Sequence, residues 1–166
     1  EQQSHELRLT YDAGGKLNFV LGGYKWDSEY DIRLRSWITF AVAGTVLDIP
    51  QTTHQETESY AVFFEGDYAI TDSWSLTLGG RYTKDEKLSL QSANIVGRGA
   101  EKWDEFTPKV GLRYQMTDDL MLYTTYTKGF RTGGFNGRVD TVESAEEPYN
   151  PEFVENYEVG FKSEWP

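Results

Sequence analysis

The chain of 166 residues has no cysteine, only two histidines and no long apolar run. Without cysteine it can form no disulfide framework, no thiol nucleophile and no thiolate metal site. His5 and His54 lie far apart in the sequence and give a poor signal for a metal centre. No window approaches the ~18 unbroken apolar residues of a transmembrane helix. These absences exclude a disulfide-rich scaffold and a helical membrane protein.

Positive charge is also scarce, since 16 lysines and arginines stand against 27 aspartates and glutamates, a formal net charge of −11. Nucleic-acid binding depends on cations that neutralise phosphates, so we expect no nucleic-acid partner. No group of side chains has the pattern of a catalytic constellation, and we expect neither an enzyme nor a bound cofactor. Gly133, Gly134 and Gly137 are followed by no helical period, so they are not expected to form a phosphate-binding loop.

What the sequence does have is alternation between apolar and polar side chains. Between Phe106 and Met116, apolar Val110, Leu112 and Tyr114 alternate with Lys109, Gly111, Arg113 and Gln115. This period of two is that of a strand lying between two unlike media. Similar segments predict seven strands, at about 3–11, 17–27, 57–70, 74–88, 104–116, 120–130 and 153–165.

Two of these strands are irregular. In the third, Phe63 breaks the alternation. In the second, two sets of residues compete for the apolar face, namely Leu17, Phe19 and Leu21 against Val20, Tyr24 and Trp26.

The connections between the segments alternate in length. Those at 12–16, 71–73 and 117–119 are short and rich in turn-forming residues, whereas those at 28–56, 89–103 and 131–152 are long. Up-and-down outer-membrane barrels combine short periplasmic turns with long extracellular loops in this way. A soluble barrel or sandwich with its apolar face inward has the same period and stays an alternative. Aromatic residues near both strand ends favour the membrane barrel.

Three segments resemble the barrel of TonB-dependent outer-membrane receptors: SWSLTLGGRYTKDEK, FTPKVGLRYQMTDDLMLYTTYTKGFRTGGFNGR and PYNPEFVENYEVGFKSEW. The resemblance runs from about residue 56 to residue 166, and SHELRLTY near the start is similar to a family strand more weakly. It implies an all-β fold in which about seven antiparallel up-and-down strands form part of a 22-stranded transmembrane barrel. Residues 1–166 would then be a partial barrel, and the plug domain, the TonB box and the C-terminal strands would be absent from this chain.

The function implied by the resemblance is active uptake of a scarce nutrient, most often a ferric siderophore or another iron complex, across the outer membrane of a Gram-negative bacterium. The expected partners are the TonB complex, outer-membrane lipid and a ferric chelate or similar small ligand. On the residues alone, a soluble β-rich binding module and a non-transporting adhesion or structural barrel stay open as alternatives.

Two sets of candidate site residues follow. An arginine or lysine on a lipid-facing strand surface costs roughly 2–4 kcal/mol near the midplane, so charged residues of the polar parity are expected to face the lumen. These are Glu65, Asp67, Arg81, Lys109, Arg113, Glu158 and Lys162. By family analogy, ligand contacts are expected at the extracellular mouth from Phe130, Arg131, Phe135, Asn136 and Arg138.

An arginine beside aromatic rings suits an anionic catecholate or carboxylate chelate. His54, in the long connection 28–56, is expected to be a surface or girdle histidine, with help in coordinating a metal complex as its alternative role.

Overall fold

A computed structural model of the chain describes residues 1–40, 45–92, 96–137 and 141–165. Its main element is an antiparallel sheet of seven strands in which each strand pairs with the next along the chain. These strands are β1 (Gln2–Asp12), β2 (Leu17–Phe40), β3 (Thr45–Ala69), β4 (Trp74–Ser92), β5 (Val96–Thr117), β6 (Leu120–Arg131) and β9 (Glu152–Ser163). The predicted number, direction and order of the strands are confirmed.

All seven strands place their apolar residues on the same face of the sheet, which we call the outer face. The register aligns them in rows, and one row runs through Leu9, Leu21, Phe64, Gly80 and Pro108. No part of the described chain covers this face, so Val62 is 61% exposed and Val159 is 84% exposed. The opposite face, the inner face, carries the polar parity. The sheet therefore has the two unlike surfaces that alternation predicts for a membrane wall.

Aromatic residues bound the apolar part of the outer face at both ends. Near the short turns, the rings of Trp74 and Tyr114 stack with their centroids 4.5 Å apart. At the other end, which we call the distal aromatic row, Tyr82 and Phe106 are directly opposite each other. The eight residue-to-residue steps from Trp74 to Tyr82 span about 27 Å along the strand and, at a tilt of about 40°, about 20 Å across a membrane. This distance is close to the ~25 Å apolar band of outer-membrane barrels.

Four strands continue far beyond the distal aromatic row. β2 and β3 have 24 and 25 residues, and β4 and β5 have 19 and 22. The prediction of loops at 28–56 and 89–103 is therefore wrong over most of both ranges, although 41–44 and 93–95 lie outside the described residues. Beyond the row the outer face meets water rather than lipid, so its apolar pattern ends while the backbone ladder continues.

The same change of medium explains the ambiguity in the second predicted strand. Leu17, Phe19 and Leu21 lie on the outer face, within the apolar band. Tyr24 and Trp26 have the opposite parity and lie on the inner face, near the end of that band. The two sets of residues do not compete for one face, because each set lies on a different face of the sheet.

The connection after β6 folds back onto the inner face. We call residues 132–137 and 141–149 the strap; it contains the paired short strands β7 (Gly134–Phe135) and β8 (Pro148–Tyr149) and the helix α1 (Val142–Glu146). The sequence predicts no helix here, and the structure corrects this: the Thr141 side chain caps α1 by accepting a hydrogen bond from the Ser144 backbone N–H. Five residues are too few for a helical period to be visible. Among the described residues, no helix is long and apolar enough to cross a membrane.

Candidate functional site

The strap is anchored by apolar contacts with glycines of β5. Phe135 is only 7% exposed, and its ring lies over Gly99, where a Cβ would have no room. Ala145 of α1 is fully buried and lies over Gly97 in the same way. The centroid of the Trp103 ring lies 6.3 Å from that of Phe135. Because Gly97 and Gly99 have no side chains, β5 leaves room for Ala145 and Phe135 of the strap.

Polar side chains of the inner face hold the backbone of the strap. Lys87 Nζ donates to the carbonyl oxygen of Gly133 at 2.6 Å, and Thr53 Oγ1 donates to that of Gly137 at 3.1 Å. Gln91 Nε2 donates to the carbonyl oxygen of Asn136, and the Gln91 side chain is almost fully buried. Burial lowers the pKa of Lys87, against the opposing effect of nearby Asp85. The strap is therefore hydrogen-bonded to two strands of the wall, β3 and β4.

The structure distributes the predicted mouth residues over different environments. Phe130 lies on the outer face, where its ring centroid is 5.8 Å from that of Phe153. Arg131 stands at the base of the strap, exposed and 3.6 Å from a carboxylate oxygen of Glu152. Phe135 is the buried anchor and Asn136 is exposed beside it. Arg138 lies outside the described residues.

Four residues near the strap were absent from the predicted mouth set: Tyr30, Lys87, Trp103 and Tyr149. Lys87 Nζ lies 5.8 Å from the ring centroid of Trp103. The Tyr30 hydroxyl donates to Gln55 Oε1, and burial raises the pKa of Tyr30 with a smaller contribution from Tyr149. The polar parity of the fourth predicted strand already includes Lys87. Tyr149 has no such signal, because only the fold of the strap carries it to this place.

The seven charged residues predicted to face the lumen share the inner face. Lys109 Nζ lies 2.9 Å from a carboxylate oxygen of Glu65, and the pair spans β4 at Gly79. The others are bonded to hydroxyl groups or line shallow cavities of this face: Asp67 accepts from Thr77, Arg81 donates to Thr83, Arg113 donates to Ser75, Glu158 accepts from Tyr123, and Lys162 lines the same cavity as Glu158. Apart from the Arg81–Thr83 bond, which lies within β4, these hydrogen bonds join different strands of the sheet.

His54 lies on the outer face beyond the distal aromatic row. Its Nδ1 is 2.8 Å from Asp31 and its Nε2 is 3.1 Å from Glu56, and the hydrogen bonds to these two carboxylates raise the pKa of the imidazole. Within the described ranges, no group of three or more histidine and carboxylate side chains is placed to hold a metal ion. His54 is thus engaged in ion pairs at the surface.

Comparison with known proteins agrees with this architecture. All residues from 1 to 166 match the family of TonB-dependent receptor-like β-barrels. The pesticin receptors of Yersinia pestis and Yersinia enterocolitica are 24% identical over 98% of this chain. A ferric-pyoverdine BN7/BN8 receptor of Pseudomonas putida is 27% identical over 63% of it. The chain spans 24% of the length of the pesticin receptors and 13% of the length of the pyoverdine receptor.

Two solved structures share the fold. The ferric yersiniabactin uptake receptor FyuA from Yersinia pestis superimposes with a TM-score of 0.85 at 22% identity, over 99% of this chain and 26% of that one. The alcaligin outer membrane receptor FauA from Bordetella pertussis gives a TM-score of 0.52 at 18% identity, over 89% of this chain and 27% of that one. The sheet, its exposed apolar face and the match over the whole chain lead to one conclusion. The chain belongs to the TonB-dependent receptor β-barrel family, whose members are receptors of the Gram-negative outer membrane rather than enzymes.

Proposed function

We propose that the protein containing this chain takes up a ferric siderophore or a similar iron chelate through the outer membrane, using energy supplied by the TonB complex. The named relatives support an iron chelate, since they include receptors for ferric yersiniabactin and ferric pyoverdine. Residues 1–166 would form seven strands of a 22-stranded barrel, and the plug domain and TonB box would belong to other parts of the protein. The charged inner-face ladders would then line the lumen around the plug.

The single observation that carries the proposal is the cationic and aromatic rim beside the strap. Arg131 has 77% of its side chain accessible. Tyr149, which pairs with Gly134 three positions after Arg131, is 44% exposed, and Tyr30 is 42% exposed. A guanidinium together with aromatic rings and phenol hydroxyls suits an anionic, ring-containing chelate.

We therefore propose Arg131, Asn136, Tyr30 and Tyr149 as direct ligand contacts. We also propose Arg138 as a ligand contact, which is the role that the family resemblance implies for it. Phe135 would act by holding the strap, and Phe130 by anchoring the outer face at the distal end of β6.

Binding of ferric chelates to the purified full-length receptor tests the proposal. Quenching of tryptophan fluorescence would be titrated with anionic ferric catecholate and carboxylate chelates and with a neutral ferric hydroxamate. We expect Arg131→Gln to weaken binding of the anionic chelates about tenfold, the size of one lost charge-assisted hydrogen bond. Binding of the neutral chelate should change little.

Arg113→Gln is the matched control, because Arg113 lies on the same face but far from the strap, near the short turns. A full-length receptor that binds none of these chelates, or whose affinity for the anionic ones is unchanged in Arg131→Gln and Tyr149→Phe, would contradict the proposal.

A further inference from the structure

Phe63, the residue that interrupts the alternation of β3, lies on the inner face among polar neighbours. Its ring lies across Gly22 of β2, where an added Cβ would collide with the ring atoms. An aromatic ring therefore rests on the backbone of a neighbouring strand. Phe63 precedes Ile70 by seven positions and follows Tyr60 by three, so the ring lies within the membrane-spanning part, well away from the strap.

Two guanidinium groups approach this ring, one from β4, which is next to β3, and one from β1, which lies beyond β2. Arg8 Cζ of β1 lies 5.9 Å from the Phe63 centroid and Arg81 Cζ of β4 lies 5.7 Å from it. Arg81 Cζ also lies 5.4 Å from the Tyr24 centroid. All three distances are within the ~6 Å range of cation–π attraction. We call Arg8, Tyr24, Phe63 and Arg81 the aromatic platform.

The platform borders a cavity of about 390 Å³ that Lys109 and Thr107 also line. Two of its cations already have carboxylate partners: Arg8 pairs with Glu6, and Lys109 pairs with Glu65 at 2.9 Å. Arg81 differs, because its Nε donates to the Thr83 hydroxyl and no carboxylate of the described part of the chain forms an ion pair with it. The site thus presents a guanidinium whose two terminal nitrogens can donate hydrogen bonds to an anion.

We infer that the aromatic platform binds a planar anion, a carboxylate or a carboxylate-bearing aromatic group. Its oxygens would receive two parallel hydrogen bonds from Arg81, the geometry for which guanidinium is suited, while the rings of Phe63 and Tyr24 hold that guanidinium in place. The carboxylate comes either from a small molecule in the lumen or from a side chain of another segment of the protein. The inference does not depend on the iron chelate proposed above, since it follows from rings and charges of the inner face alone.

Arginine footprinting of the full-length receptor in detergent tests the site. Phenylglyoxal modifies accessible guanidiniums, and mass spectrometry measures the rate at Arg81 and at Arg113. Arg113 is the control because it also lies on the inner face and donates to a serine hydroxyl, Ser75. With benzoate as the probe, we expect at least threefold slower modification of Arg81 and no change at Arg113. In Phe63→Leu, which keeps an apolar side chain but removes the ring, the effect of benzoate should disappear.

A second arm identifies the source of the anion. In the Arg81→Lys variant, carbodiimide can join the introduced amine to an adjacent carboxylate without a spacer, and Arg113→Lys serves as its control. A crosslinked peptide at position 81 alone assigns the site to a carboxylate of the protein. Benzoate protection without a crosslink assigns it to a small molecule.

The inference is overturned if benzoate slows the modification of neither Arg81 nor Arg113 and no crosslink forms. Benzoate protection that persists in Phe63→Leu also overturns it. Footprinting of the wild-type receptor does not depend on the folding of any variant. A receptor that shows benzoate protection but binds no ferric chelate contradicts only the proposed function.

Discussion

Glu29 and Glu56 face each other directly across β2 and β3, and His54 is the cation closest to both. Two like charges in directly opposed positions destabilise a strand pair. The imidazole lies 3.9 Å from Glu29 and 3.1 Å from Glu56, and it also contacts Asp31. In its protonated form, His54 therefore offsets the repulsion between the two strands.

This arrangement predicts a pH dependence of the β2–β3 hairpin. The pKa of His54 is raised in the folded chain by its bonds to Asp31 and Glu56. The stabilisation is thus fully present below the unfolded pKa of about 6.5 and is lost as pH rises through the higher folded value. We expect the backbone amides of 29–31 and 54–56 to be more protected from hydrogen exchange at pH 6 than at pH 8.5, after correction for intrinsic rates.

The His54→Gln variant should lose this difference, because glutamine carries no titrating charge. An identical pH response in the wild-type chain and the variant would show that His54 is not its cause.

Gly99 leaves room for the Phe135 ring of the strap, and a side chain at position 99 should displace the strap. We expect Gly99→Val to cost about 1–3 kcal/mol of local stability, the usual range for overpacking, because a Cβ at position 99 would overlap the Phe135 ring. Hydrogen exchange of residues 133–137 should accelerate at least fivefold. Gly137→Ala is the matched control, since nothing lies within 4 Å of the added Cβ. Unchanged protection in Gly99→Val would contradict the packing described for the strap.

At the scale of the strand, the two faces of β4 should tolerate charge very differently. Leu78 lies midway between Trp74 and Tyr82 on the outer face, and Thr77 lies next to it on the inner face. Leu78→Arg is expected to cost roughly 2–4 kcal/mol, since it places a cation in lipid near the midplane. Thr77→Arg should cost much less, because the new guanidinium lies opposite Asp67. Denaturant titration of the receptor in lipid bilayers measures both, and equal losses would contradict the orientation of the sheet.

The strand scale also shows what the sequence could predict. Within the apolar band, residues such as Val110 and Lys109 lie between lipid and polar surroundings, so alternation identified all seven strands and their short turns. Beyond the distal aromatic row that contrast ends, and pairs such as Asp31 with His54 carry charge on the outer face. The strands continue where the sequence pattern no longer indicates them, so β2 and β4 were predicted to end too early and β3 and β5 to begin too late.

The site was less predictable than the fold for a related reason. The charged residues of the inner face follow the strand period, and the structure places all of them on one face. The strap depends on contacts between residues distant in sequence, such as Phe135 with Gly99 and Lys87 with the Gly133 carbonyl. Its five-residue helix depends on a single cap at Thr141. Neither kind of information is periodic, so the sequence pattern did not contain it.

For the molecule as a whole, the outer face determines how the chain behaves in water. Leu7 is 80% exposed and Phe161 is 68% exposed, and the edge strands β1 and β9 leave backbone groups unpaired within the described sheet. Large apolar patches and open edges both lead to association. We expect the chain of residues 1–166 to aggregate in plain buffer and to keep its β-sheet circular dichroism only in detergent or lipid. A folded monomer in plain buffer, seen by analytical ultracentrifugation, would contradict this expectation.

The part of β2 beyond the distal aromatic row is long. From Lys25, opposite Tyr60, to Phe40 the strand adds fifteen residues, about 50 Å of backbone at about 3.3 Å per residue. Outward side chains there form exposed ion pairs with the adjacent strand, as in Arg35–Asp48. Solvent-exposed ion pairs of this kind contribute little to stability, so they can be replaced at little cost. We expect these outward positions to accept substitutions while the backbone ladder of β2 and β3 stays the same.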